Sequence, residues 1–295
     1  MAMHDGLVVV DKPAGFTSHD VVAKLRKAYG QRKVGHAGTL DPDATGVLLV
    51  GLGRATRLLR YLSESGKAYE GRIVFGIATS TLDAAGEVVE QRPMPLTPDD
   101  VERALPRFLG DIEQLPPMVS AVKIGGRRLH ELARAGEEIE RAPRPVHVDR
   151  FEVTNFEPGP YPTADVIVEC GSGTYVRSLA ADLGAALGGC AHLAALRRTR
   201  VGSFTLAEAR PLDVVETDPA AAVLPLATAM RDLERVDVDD EQARAVAHGV
   251  SFASGALSVQ GEGPYALVGP DGVLLAVYDT RGAALRPAVV VAASG

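Results

Sequence analysis

The sequence predicts an α+β protein, in which a large domain of mixed strands and flanking helices precedes a small β-rich C-terminal domain. Three observations lead there. The 295 residues, 46% of them hydrophobic, exceed what one domain usually holds and suffice for one large core and one small one. As far as Pro225, short apolar runs bounded by Gly and Pro are interspersed with amphipathic stretches of helical period. Beyond Pro225 the chain turns acidic and Gly-rich, and strand-like alternation runs from Val250 onward.

Leu7-Val8-Val9-Val10-Asp11 reads as a short buried strand closed by the turn Lys12-Pro13-Ala14-Gly15. Ser18 is then expected to cap a helix to about Tyr29, with Val21, Val22 and Leu25 inward and Lys24 and Lys27 outward. From His36 to Gly46, two glycines and a proline flanked by Asp41 and Asp43 force the backbone to turn, and Val47-Leu48-Leu49-Val50 beyond is an apolar strand. Asp41 thus sits on a loop just ahead of a rigid element, a common setting for side chains that do chemistry, although the Asp-Pro dipeptide alone is also an ordinary turn. Arg54 to Leu62 predicts a second amphipathic helix, with Leu58, Leu59 and Leu62 inside and Arg57 and Arg60 at its edge.

Tyr69 to Phe75 alternates as a half-buried strand, and Asp83-Ala84-Ala85-Gly86 makes a turn. Thr97-Pro98-Asp99-Asp100 is a helix start with a capping hydroxyl, Pro in the first turn and acids at the positive helix end; that helix is expected to reach about Phe108. Ile124 to Arg144 is Gly-rich and charged, with Arg127, Arg128 and His130 exposed in pattern, and reads as an excursion from the core. Strands follow at Val146–Phe156 and Ala164–Cys170 around a Pro-rich loop, and the chain from Cys170 to Arg177 turns into a helix ending near Leu187. Gly171 and Gly173 lack the spacing and the Lys-Ser/Thr pair of a phosphate loop. A short helix is expected near Asp240–His248.

No apolar run reaches the length of about 18 residues that spans a membrane, and the first residues lack the pattern of a secretion signal, so a soluble cytoplasmic protein without membrane contact is expected. Cys170 and Cys190 form neither a Cys-x-x-Cys pair nor part of a metal-ligand cluster, which argues against a disulfide framework and structural zinc. The net charge of −7 hides segregation: residues 1–60 carry nine basic against five acidic side chains, and arginines cluster again at 127–144 and 197–200. Such faces suit a polyanion, although each is also what a solvated helix surface looks like.

Four separated segments together carry a resemblance. Asp11-Lys12-Pro13-Ala14-Gly15, the run His36-Ala37-Gly38-Thr39-Leu40-Asp41-Pro42-Asp43-Ala44-Thr45-Gly46, Lys67-Ala68-Tyr69, and Gly173-Thr174-Tyr175-Val176-Arg177 resemble the TruB family of tRNA pseudouridine synthases. The resemblance implies a catalytic domain over 1–228 built on a mixed, mainly antiparallel sheet with flanking helices. It implies an RNA-clasping insertion at about 124–144 and, more weakly, a PUA-like RNA-binding domain over 229–295. The implied reaction converts uridine to pseudouridine at position 55 in the T-loop of tRNA, with no metal or cofactor.

That chemistry breaks the N1–C1′ bond and rejoins C1′ to C5. It calls for a nucleophile at C1′ or C6, or a base at C2′, and an ionised carboxylate serves each role. By the family motif Asp41 is that carboxylate, Arg177 the arginine paired with it, and Tyr69 the tyrosine stacked on the target base. An arginine nearby favours the ionised carboxylate. The target must leave its stack to be reached, and His36 matches a residue that fills the vacated space. Lys12 is implied to support the active-site loop among the substrate-side residues, which also include Leu196, with Arg127, Arg128 and His130 contacting RNA. The expected partner is the T-arm stem-loop of tRNA, bound by a monomer with no obligatory protein partner. Other readings are a tRNA-binding or tRNA-folding protein for which catalysis is secondary, a carboxylate-dependent hydrolase or transferase acting on a nucleoside, and a guide-RNA-dependent synthase of a larger ribonucleoprotein. No paired acid or metal motif supports the hydrolase, and the lack of long basic tails favours a standalone enzyme over the last.

Overall fold

In the computed structural model, residues 3–119, 123–124, 127–128, 140–253, 255–259 and 262–292 are described. They form two compact units: the first comprises residues 1–42, 46–63 and 202–295, the second residues 43–45 and 64–201. The architecture is mixed and mainly sheet, in the α+β class expected from the sequence pattern. Among the described residues no helix is long and apolar enough to cross a membrane.

In the first unit the strands Gly6–Lys12 and Thr45–Leu52 pair antiparallel, with Val8 opposite Val50 and Lys12 opposite Gly46. Val34–Ala37 also pairs with Thr45–Leu52, and Arg210–Pro211 runs parallel to Gly6–Lys12. The helix Ser18–Ala28 lays Val21, Val22 and Leu25 on Val8, Val10, Leu48 and Val50, so one apolar cluster fixes the helix to the sheet that carries the Asp41 loop. The residues following Gly202 end in a five-stranded sheet in the order Glu234–Asp237, Tyr265–Val268, Leu274–Arg281, Ala284–Val290, Phe252–Ala253. Its core holds Tyr265 and Tyr278 at 0% exposure, and the Tyr278 hydroxyl donates to Val250 O at 2.8 Å.

In the second unit an antiparallel sheet runs Ala191–Val201, Lys67–Phe75, Thr163–Cys170, Arg144–Glu157, Gly110–Gln114. The helix Val176–Ala186 packs beside the first of these strands. A short hairpin, Lys123–Ile124 with Arg127–Arg128, is described within the expected excursion; His130 and most of 124–144 lie outside the described residues.

Three local expectations are corrected. Ser18 does not cap its helix: Thr17 does, accepting from Asp20 N at 3.0 Å while Asp20 answers to Thr17 N at 2.8 Å, a closed capping box that leaves Ser18 inside the first turn. The stretch Arg54–Leu62 is not one helix but a 3-10 turn, Gly53–Arg57, followed by a short α-helix, Leu59–Glu64. Gly53, which opens the 3-10 turn, takes a left-handed φ of 55°, and the break between the turn and the α-helix falls at Leu58. Two arginines of this stretch are engaged within the protein. Arg54 bonds Asp5 at 2.7 Å and Val291 O at 2.6 Å, and Arg57 donates to Val290 O at 2.6 Å. The strand Ala191–Val201, with its Arg-rich end, was not foreseen, because three arginines in four residues mask the alternation of a strand.

Candidate active site

The Asp41 loop is held from both sides. Gly38 and Gly46, at φ 80° and 101°, supply the left-handed backbone that brackets it. On the near side, the Ser18 hydroxyl, fully buried, accepts from Leu40 N at 2.9 Å and donates to Leu40 O at 3.2 Å. On the far side, Pro42 O accepts from Gly15 N at 3.0 Å and from Lys12 Nζ at 2.9 Å. Asp41, partly exposed, is the one residue between these two anchored neighbours.

Lys12 is 0% exposed, and its ammonium also donates to Pro13 O at 2.9 Å and Phe16 O at 2.6 Å. A buried charge is tolerated only with such compensation. The structure thus places Lys12 as the tie that binds the turn after the first strand to the loop after Leu40. His36, on the strand that leads into this loop, stands edge-to-face against His19, ring centroids 5.1 Å apart.

In the second unit Tyr69, 7% exposed, lies in the central strand, opposite Val168 on one neighbour and Arg198 on the other. Arg198 is 1% exposed and Lys67, two residues before Tyr69, 7%. Burial, aided by the Arg198 charge, lowers the Lys67 ammonium to about 8. Its strand partner Cys170 is pushed up to about 11 by burial. Two buried cations beside Tyr69 escaped the sequence reading, since Lys and Arg are almost always counted as surface residues.

Arg177 sits in the first turn of its helix, where the positive helix end disfavours a cation. Three acceptors offset this: Thr81 O at 3.0 Å, Val119 O at 2.9 Å and the Asp83 carboxylate at 3.3 Å. The helix has no side-chain cap of its own. Instead Gln114, 2% exposed, clasps the backbone of Tyr175, accepting from its N–H at 2.7 Å and donating to its carbonyl at 3.0 Å. Gln114 carried no local motif, and Asp83 read only as the first residue of a turn.

Leu196 lines a cleft of about 450 Å³ in the second unit, with Asp43, Thr45, Glu70 and Arg72. Arg72 grips Asp165 through two bonds, 2.7 and 2.9 Å, which hold the Asp165 carboxyl below its ordinary range, and Arg197 donates to Thr45 Oγ1 at 3.2 Å. Arg127 and Arg128 fall on the backbone of the short hairpin, and His130 lies outside the described residues. Lys12, His36 and Asp41 belong to the first unit; Tyr69, Arg177 and Leu196 belong to the second.

A family model described as the N-terminal domain of TruB family pseudouridylate synthase matches residues 26–176. The chain belongs to the TruB family. Two further models, a tRNA pseudouridylate synthase B C-terminal domain and a tRNA pseudouridine synthase II C-terminal domain, match residues 177–236 and 233–292. Among curated relatives, tRNA pseudouridine synthase B of Symbiobacterium thermophilum is 53% identical over 250 residues, 84% of this chain and 83% of that one. The protein of the same name from Thermobifida fusca is 48% identical over 299 residues, 99% of this chain and 100% of its own. This TruB chain is therefore a pseudouridine synthase, an isomerase. Its fold is similar to solved structures of an H/ACA RNP bound to a substrate RNA containing 2′-deoxyuridine (TM-score 0.74, 26% identity, 98% of this chain and 85% of that chain). It is similar also to a Cbf5-Nop10-Gar1 complex (TM-score 0.74, 28% identity, 97% and 84%).

Proposed function

We propose that this synthase converts uridine to pseudouridine in tRNA, at position 55 of the T-loop, with Asp41 as the carboxylate that acts on the target nucleotide. The reaction breaks the N1–C1′ bond, forms a C5–C1′ bond, removes the C5 proton and protonates N1, so substrate and product have the same atoms. The observation that carries the reading is the double anchoring of residues 40 and 42, which presents the carboxylate between them with little freedom.

In this reading the target nucleotide is extruded from the T-loop, at a cost of a few kcal/mol. Tyr69 stacks on the base, Leu196 lines its seat, and His36 occupies the vacated stack. Arg177 pairs with Asp41 and favours its ionised form. Arg127, Arg128 and His130 contact RNA within an insertion spanning about 124–144, and residues 229–295 serve as a PUA-like RNA-binding domain after a catalytic domain over 1–228. The enzyme acts as a cytoplasmic monomer.

The test is purified protein alone with an unmodified T-arm stem-loop. Pseudouridine is expected at the T-loop uridine, and Asp41→Asn is expected to bind the stem-loop yet form none. Product formation only with added proteins or a guide RNA would overturn the standalone reading, and full activity in Asp41→Asn would overturn the role of the aspartate.

A further inference from the structure

Ser18 is a fully buried hydroxyl that its own helix does not need. Capping there is complete without it, because Thr17 and Asp20 close the box. The Ser18 side chain instead crosses 22 positions of sequence to Leu40, where it meets both backbone polar groups of one residue, N–H at 2.9 Å and C=O at 3.2 Å. Leu40 is itself 4% exposed, so those two groups have no bulk water to turn to. A hydroxyl is the smallest side-chain group that both donates and accepts, and here it does both on the peptide groups entering Asp41.

We propose that Ser18 is a positioning residue for catalysis, one that sets the backbone of Leu40 and through it the direction of the Asp41 carboxylate. The proposal rests on the reading of Asp41 given above. Lys12 and Gly15 fix Pro42 on the far side of the aspartate. Without Ser18 the backbone of Leu40 loses both of these side-chain bonds, and the carboxylate that follows it gains freedom at the Leu40 end. A reacting group displaced by about 1 Å loses on the order of 100-fold in rate, whereas RNA affinity, which rests largely on phosphate contacts, has no reason to change.

The experiment compares Ser18→Ala and Ser18→Cys with the parent on an unmodified T-arm stem-loop, measuring the single-turnover rate, the stem-loop Kd and the thermal midpoint. Ser18→Ala is expected to slow the single-turnover rate about 10- to 100-fold with Kd within about 2-fold. Ser18→Cys, nearly isosteric and a weak donor and acceptor, is expected to fall between Ala and the parent. Thr17→Ala serves as the control: it loses the helix cap and some stability while its rate stays at the parent level. A second arm separates positioning from general loosening. Asp41→Glu is made in both the parent and the Ser18→Ala background; a pivoting loop accommodates the longer side chain, so the Glu penalty is expected to shrink at least about 3-fold there.

A Ser18→Cys rate equal to the parent's, or a Glu penalty identical in both backgrounds, would overturn the proposal. If Ser18→Ala does not fold, the Cys variant carries both arms. Failure of the underlying reading looks different, since Asp41→Asn would then keep its activity whatever Ser18 does.

Discussion

The Nζ atom of Lys12 donates a 2.9 Å hydrogen bond to the carbonyl of Pro42, the residue that follows Asp41. A lysine in a motif rich in turn residues thereby serves the loop with its charge fully buried among three carbonyl oxygens. Lys12→Met removes a donor from each of those carbonyls, of which Pro42 O keeps Gly15 N–H, and a loss of about 2–4 kcal/mol in unfolding free energy is expected by urea titration. Lys12→Arg is expected to restore little, because a planar guanidinium does not fit a site shaped around a compact ammonium.

Arg177 and Asp83 are expected to couple. Removing either leaves the other partly buried and short of a partner, so Arg177→Leu and Asp83→Asn should each destabilise. Their double-mutant cycle should give about 0.5–3 kcal/mol of interaction. Arg177→Leu should also slow turnover on a T-arm stem-loop at least about 10-fold; turnover at the parent rate would reject its pairing with Asp41.

The buried Lys67 should leave a mark on the pH dependence of stability. Its folded value of about 8 lies below the ordinary lysine value of 10.5. Between those values the unfolded chain holds a proton that the folded chain has released, so this group makes stability rise with pH through the window. Cys170, pushed up to about 11, acts in the opposite sense between its ordinary value of 9.0 and 11. In a Cys170→Ala background, the stability advantage of Lys67 over Lys67→Met should therefore increase from pH 8 to pH 10.5, by on the order of 1–3 kcal/mol in urea titrations. A flat difference would show that the ammonium is not desolvated.

Arg57 is expected to contribute little to RNA binding, because one arm of its guanidinium is held by the carbonyl of Val290. Arg57→Gln is expected to leave the salt dependence of tRNA affinity unchanged and to lower stability by about 0.5–1 kcal/mol. Arg127→Gln and Arg128→Gln, by contrast, should each reduce the slope of log K against log salt by about one.

Much of this was legible in apolar patterning. The Gly6–Lys12 and Thr45–Leu52 strands follow from continuous apolar runs buried on both faces, and the inward Val21, Val22 and Leu25 from helical period. The Asp41 loop was legible because its Gly and Pro content restricts the backbone. Sequence reasoning failed where a polar group is buried for the sake of a distant partner. Ser18 reads as a cap beside Thr17, since nothing local announces Leu40, 22 residues away. Arg198 reads as one of a basic run, because a strand's inside and outside cannot be told apart when both carry arginine. The fate of Arg54 and Arg57 depends on carbonyls more than 230 residues later, a separation no local window spans.

That last separation bears on how the chain is made. The turn Gly53–Arg57 leaves the ribosome more than 230 residues before Val290 and Val291, the acceptors for two of its guanidinium groups. Until then the first unit lacks a closing contact with a large loop-closure cost, and such long-range pairing folds slowly. A nascent chain stalled short of residue 290 would therefore hold the Gly53–Arg57 turn without two of its backbone acceptors, exposed to quality-control proteases for longer than its local elements suggest.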